Sequence, residues 1–313
     1  MPPTQQLRAD IGFAGLQFPG YETLFGNDAG IRQARGPDYC AVQASEALQW
    51  SAQVWRLAAT IGGLGVRTRV DLWTSCLPAQ DVADTFRGGP PLVIHTRHDP
   101  KLVAALRRMH RLSKAQGSVM GIPREWRERH VQLLLKWCVM SIDAAVAIFV
   151  DLDTELMPGG LPPNAPAYSE SDAAIAREWL EMLRCANGST WAMLSLPDHS
   201  APVNTAFLVV KPSRALYSEG LAALHKAGAP GGFNRTHGWF LVGPPSVAVP
   251  AGDSSVRRGS EMRSRDDWGF VCAALDQGFF FYLLRIRHAI GSDLDSTCPL
   301  PESPPRLRAR LRH

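Results

Sequence analysis

Apolar residues run without a break from 145 to 150 and end on Asp151, Leu152 and Asp153. An uninterrupted run of this length predicts a strand buried on both faces. Further strands are predicted at 38–44, 66–74, 91–96, 191–196 and 206–210. Between them the spacing turns helical. Leu48, Val54, Trp55, Ala58 and Ala59 mark one face of a helix with Ser45 as its N-cap and Gly62-Gly63 as its stop. Helices are also expected at 81–85 or 100–110 and at 130–141. A further helix starts near Ser169 or Ser171 with Asp172, shows Ile175, Trp179, Met182 and Leu183 on its apolar face, and stops at Gly188. Two more follow, one after Pro212-Ser213 and one capped by Asp266 or Asp267 through Trp268, Val271 and Leu275. Strands alternating with helices predict an α/β fold with a mainly parallel central sheet flanked by helices.

The same pattern divides the chain. Residues 1–37, rich in Gly, Pro and Gln with no sustained period, read as a poorly ordered N-terminal arm. Residues 38–285 form the domain, with a basic, Gly- and Pro-containing inserted loop at 111–129. Residues 286–313 read as an irregular or disordered C-terminal tail, and Asp293-Leu294-Asp295 within it lacks a preceding apolar strand.

Composition changes this picture little. The chain has 313 residues, 45% hydrophobic and 20% charged, enough to bury a substantial core. The net charge of +4 is concentrated in arginine runs at 107–111, 124–129 and 306–312. Trp126 is the one aromatic residue among them, too little to form a base-stacking platform, so they read as solvated faces and no nucleic-acid partner is expected. The N-terminus lacks a signal-peptide core, and no stretch is long and apolar enough to span a membrane. The compartment is left as cytoplasm or Golgi lumen. None of the six cysteines forms a Cys-x-x-Cys pair, and most sit in apolar runs, so they read as buried hydrophobes in a reducing compartment. Two Asn-x-Ser/Thr sequons, at Asn187 and Asn234, matter only in the secretory pathway.

Two carboxylates at the exit of a buried strand lie where open α/β sheets bind ligands. Hard oxygens this close suit Mg²⁺ or Mn²⁺ shared with a phosphate. Four stretches fall in order along the chain: Leu135-Lys136-Trp137; the strand ending in Asp151-Leu152-Asp153, with Pro158; Pro197-Asp198 followed by Val203-Asn204-Thr205-Ala206 and a strand ending in Lys211-Pro212-Ser213; and Asp276-Gln277-Gly278. This series resembles glycosyltransferase family 8, the glycogenin-like enzymes, over most of the chain.

The resemblance implies a GT-A fold, a nucleotide-diphosphate sugar donor, usually a uridine diphosphate sugar, and Mn²⁺ (or Mg²⁺). The acceptor would be a glycan, a protein or a small molecule, and a homodimer is compatible with it. It implies that Asp151 and Asp153 hold the metal, with Asp151 also near the ribose. Asn204, Asp198 and Asp276 would contact the donor sugar, and Gln277 would face its reacting centre. Lys136 would lie near the diphosphate, and Ala44 and Ser45 near the base. The family's Asn-Ser-Gly is Asn204-Thr205-Ala206 here, and its late histidine ligand is matched only by His288-x-x-Gly291. No side chain stands out as a covalent nucleophile, which favours front-face transfer with retention. Two alternatives remain: a catalytically inactive nucleotide-sugar-binding module with the same fold, and a haloacid-dehalogenase-like phosphatase, whose pattern wants Thr or Val where Glu155 stands.

Plainer roles exist for each residue. Asp151 and Asp153 could be a surface turn, Asn204 and Asp198 turn residues, and Asp276 an acid on a helix surface. His95, His98 and His199 are isolated in sequence. Trp55, Trp137 and Trp179 fit helix faces and hence the core, whereas Trp239 and Trp268 sit in loop-like surroundings and are candidates for acceptor contact.

Overall fold

A computed structural model describes residues 9–16, 39–74, 89–116, 126, 129–152, 170–197, 201–227, 231–243, 268–270 and 272–298. Its centre is a seven-stranded sheet with strand order β3-β2-β1-β4-β6-β5-β9. The strands are β1 (Ala9–Leu16), β2 (Thr68–Trp73), β3 (Leu92–His95), β4 (Ala144–Val150), β5 (Met193–Ser195), β6 (Phe207–Val210) and β9 (Gly291–Asp293). Strands β3, β2, β1 and β4 pair in parallel, β6 runs antiparallel between β4 and β5, and β9 pairs in parallel with β5. A separate two-stranded hairpin joins β7 (Phe233–Asn234) and β8 (Gly238–Trp239). The expected α/β class with a mostly parallel, helix-flanked sheet is what forms.

Both faces of the sheet are covered, which is why β4 is apolar throughout. Val146, Ile148 and Val150 pack with helices α1 (Tyr39–Gly63) and α4 (Glu170–Gly188), through Trp50, Leu57, Ile61, Trp179 and Leu183. An ion pair between Arg56 and Asp172 ties these two helices together. On the other face, Ala147 and Phe149 meet α2 (Pro100–Gln116), the 3₁₀ helix α3 (Arg129–Ser141) and α5 (Arg214–Ala227). That layer continues into α6 (Asp276–Phe280) and the π-helical α7 (Phe281–Arg287).

Three expectations need correction. Residues 38–44 are not the first strand; they open α1, so Ala44 and Ser45 lie inside a helix and Ser45 is not its N-cap. The first strand is instead β1, inside what reads as the N-terminal arm, and it pairs with both β2 and β4 near the middle of the sheet. Its sequence, Ala-Asp-Ile-Gly-Phe-Ala-Gly-Leu, hides it, because glycine argues against a strand interior. Here glycine is a packing requirement: a Cβ on Gly15 would lie 2.5 Å from the Trp50 ring.

The second correction is at the C-terminus. Residues 291–298 are not an irregular tail. They supply β9 and the short helix α8 (Leu294–Thr297), with Leu294 fully buried and Asp293 accepting from the backbone NH of Ser296 as its N-cap. Third, Cys185 and Cys298 form a disulfide, so these two are not merely small hydrophobes. Cys138 is buried and free, as the apolar runs suggest. Smaller differences concern helix limits. Helix α2 extends to Gln116, into the expected inserted loop. Residues 268–270 and 272–275 form bends and turns rather than a helix, Val271 lies outside the described residues, and Asp276 opens a helix instead of following one. Among the described residues no helix is long and apolar enough to cross a membrane.

Candidate functional site

The antiparallel register of β4 on β6 sets Val150 opposite Phe207. One residue further on, the backbone NH of Asp151 donates to Ala206 O at 2.9 Å. The exit of β4 is thereby held beside Asn204-Thr205-Ala206. Asn204 shapes this turn: its Oδ1 accepts from the NH of Ala206 at 2.9 Å, and its own NH donates to Leu196 O at 2.7 Å.

Two more segments complete the cluster. Lys136, on α3, reaches its ammonium to Asp151 Oδ2 at 2.9 Å, to Asp276 Oδ2 at 3.3 Å and to Thr205 O at 3.4 Å. Its alkyl stem brings the charge 5.7 Å from the centre of the Phe149 ring. Thr205 Oγ1 donates to Asp276 Oδ2 at 2.6 Å. Asp276 is 2% exposed, and its Oδ1 has no hydrogen-bond partner among the described residues. Gln277 beside it is also buried.

Asp276 is placed by aromatic packing. Trp126 Nε1 donates to Ala274 O at 2.6 Å and Trp239 Nε1 to Ala273 O at 2.8 Å, pinning the turn that leads into it. A Cβ on Gly278 would lie 1.8 Å from Ala273 O, so the third position of Asp-Gln-Gly admits only glycine at this approach. Trp239 and Trp268 are therefore not acceptor-contact candidates: both are fully buried in this aromatic cluster, and Trp268 Nε1 donates to Gly243 O. Trp137 and Trp179 are in the core as expected, and Trp55, partly exposed, donates to Pro90 O.

Among the described residues the cluster holds two carboxylates and one ammonium. Burial alone would push the Lys136 ammonium toward neutrality, but the charges of Asp151 and Asp276 outweigh it and raise its pKa. The raised pKa favours the charged form of Lys136, which faces two carboxylates among the described residues.

Asp153 and Asp198 lie outside the described residues, as does His199. Ala44 and Ser45 fall in the opening turns of α1. His288 is engaged elsewhere, its Nε2 lying 2.9 Å from Glu219 Oε2. Among the described residues no three His, Cys, Asp or Glu side chains group as a metal site.

Thr205 is a member of the cluster that the sequence offers only as a departure from the family pattern. A second polar cluster joins β2 to the end of β3, and its link from Asp71 to His95 was not legible in the sequence. Buried Asp71 takes both Arg69 nitrogens at 2.7 Å and His95 Nε2 at 2.7 Å, while His95 stacks on Trp73 with ring centres 4.4 Å apart. His95 is therefore not isolated.

The chain matches no family model, and no curated protein matches it.

Proposed function

We propose that this protein is a retaining glycosyltransferase that moves a sugar from a nucleotide-diphosphate donor, a uridine diphosphate sugar by resemblance, to an acceptor hydroxyl. What supports this reading is one observation: Lys136, Asp151, Thr205 and Asp276, from four separate blocks of the sequence series, meet at the carboxyl end of the buried strand β4. The order β3-β2-β1-β4-β6-β5 around that point is compatible with the GT-A fold that the resemblance implies.

The donor set suits a hard divalent cation. Asp151 and Asp276 bring hard carboxylate oxygens to one point, and Asp151 is the more exposed of the two. Asp151 with Asp153 would hold Mn²⁺ or Mg²⁺, which supplies charge neutralisation on the leaving diphosphate. Asp276 accepts a hydrogen bond from a sugar hydroxyl at Oδ1 while Thr205 fixes its other oxygen. Asn204 keeps the turn in place beneath it. Gln277 is neutral and stabilises positive charge at the reacting carbon only through its amide oxygen. These groups act by orientation and by fixed electrostatics rather than by covalent chemistry.

A screen of nucleotide sugars with Mn²⁺ tests this, read as release of the nucleoside diphosphate. Turnover with at least one donor, lost in Asp153→Ala, is expected. Absence of both turnover and metal-dependent binding of uridine diphosphate would sink the reading. Metal-dependent binding without turnover would instead identify a module that binds the donor and does not transfer.

A further inference from the structure

Lys136 is a single ammonium shared by two carboxylates, and the sharing is uneven. It lies closer to Asp151 than to Asp276. The Asp151 side chain is 23% exposed, whereas those of Lys136 and Asp276 are 5% and 3% exposed. A ligand entering from solvent therefore meets Asp151 first, and finds it already paired with a buried cation.

We propose that Lys136 is an internal counter-ion that competes with a divalent metal for the Asp151 carboxylate and shifts toward Asp276 when the metal binds. This rests on the reading of Asp151 as a metal ligand. A divalent cation on the Asp151 carboxylate and the ammonium on its Oδ2 repel strongly in a site this shielded from water, and withdrawal of the ammonium relieves that repulsion. The ammonium can withdraw without being stranded: Asp276 Oδ2 at 3.3 Å and the Thr205 carbonyl at 3.4 Å are already within its reach. Thr205 holds Asp276 in place at 2.6 Å, so this second berth stays fixed while the lysine stem, with its rotatable bonds, shifts. In the metal-free protein Lys136 neutralises part of the carboxylate charge and keeps Asp151 from facing Asp276 uncompensated. On metal arrival that function passes to the divalent ion.

Isothermal titration of Mn²⁺ into the wild-type protein, Lys136→Met and Lys136→Arg, without nucleotide, tests the competition. Lys136→Met should bind Mn²⁺ at least about tenfold more tightly than wild type, since the competing charge is gone. Lys136→Arg keeps the charge and should keep the weak wild-type affinity. Adding Asp151→Asn to Lys136→Met should abolish the gain. Should thermal melts show Lys136→Met unfolded, Lys136→Gln, whose amide can still hydrogen-bond both carboxylates, replaces it with the same expected gain. Equal or weaker Mn²⁺ binding in the neutral variants, or no binding by any of the proteins, overturns the proposal. Uridine diphosphate titrated into wild type with and without Mn²⁺ separates the two claims: its failure to bind defeats the transferase reading even where the Mn²⁺ comparison succeeds.

Discussion

Thr205 donates its hydroxyl to Asp276 Oδ2 at 2.6 Å, joining two segments 71 residues apart in the sequence. Both residues are almost fully buried, so this bond is made in a region where an unmatched carboxylate is costly.

Replacing Thr205 by valine keeps the shape and removes the donor. A loss of about 1–3 kcal/mol of unfolding free energy is expected, because Asp276 would then keep only Lys136 as a charged partner on that oxygen. Thr205→Ser should recover most of it. Urea unfolding of the three proteins measures this, and a valine variant as stable as wild type would show that the hydroxyl contributes nothing.

Lys136 gives the protein an alkaline limit. Its pKa is raised in the folded state by Asp151 and Asp276 against the opposing effect of burial. The stabilisation is fully present below the unfolded value of about 10.4 and is lost as pH rises from there toward the folded value. Stability should thus fall as pH rises above about 10.4. The fall should be smaller in Asp151→Asn, which has less of this coupling to lose. Thermal melts across that range read the difference.

His98 acts at the other end. Burial, with a smaller contribution from His95, lowers its pKa to about 4. The neutral ring belongs to the folded state, so the stabilisation is complete above the unfolded value of about 6.5 and is lost as pH falls through about 4. Wild type should lose on the order of 1–3 kcal/mol across this window, and His98→Gln should lose less. Chemical denaturation at pH 7, 5.5 and about 4.5 checks the slope.

The disulfide between exposed Cys185 on α4 and buried Cys298 spans 113 residues. Its removal by Cys185→Ser should cost about 2–5 kcal/mol. The melting temperature of wild type should drop on adding reductant, while that of the serine variant should not move. A wild-type melt indifferent to reductant would show the bond to be energetically idle.

The sequence made the sheet class legible because β4 announces itself: a strand covered on both faces has no polar positions to confuse its reading. It placed β2, β3, β5 and β6 for related reasons. It concealed β1, since Gly12 and Gly15 signal a turn unless one knows that Ala144 and Trp50 press against them. It concealed β9 because three partly exposed residues, Gly-Ser-Asp, become a strand only through pairing with β5. At the site, Lys136, Asp151 and Asp276 were each visible as members of ordered blocks. The contacts among them were not, because they depend on the β4–β6 register and on the tryptophan-pinned turn before Asp276. Trp239 and Trp268 misled in the opposite direction: irregular backbone around a tryptophan reads as surface, yet here irregular turns are packed by the rings themselves.

The Cys185–Cys298 bond makes a covalent ring of the chain between them. Asn204, Thr205, Asp276 and Gln277 ride on that ring, whereas Lys136 and Asp151 belong to the open part of the chain before it. A protease that cuts once inside the ring releases nothing: the two pieces migrate as one until a reducing agent parts them. The two halves of the cluster thus differ in their tolerance of backbone damage, since a single cut between Lys136 and Asp151 leaves only noncovalent contacts to hold them together.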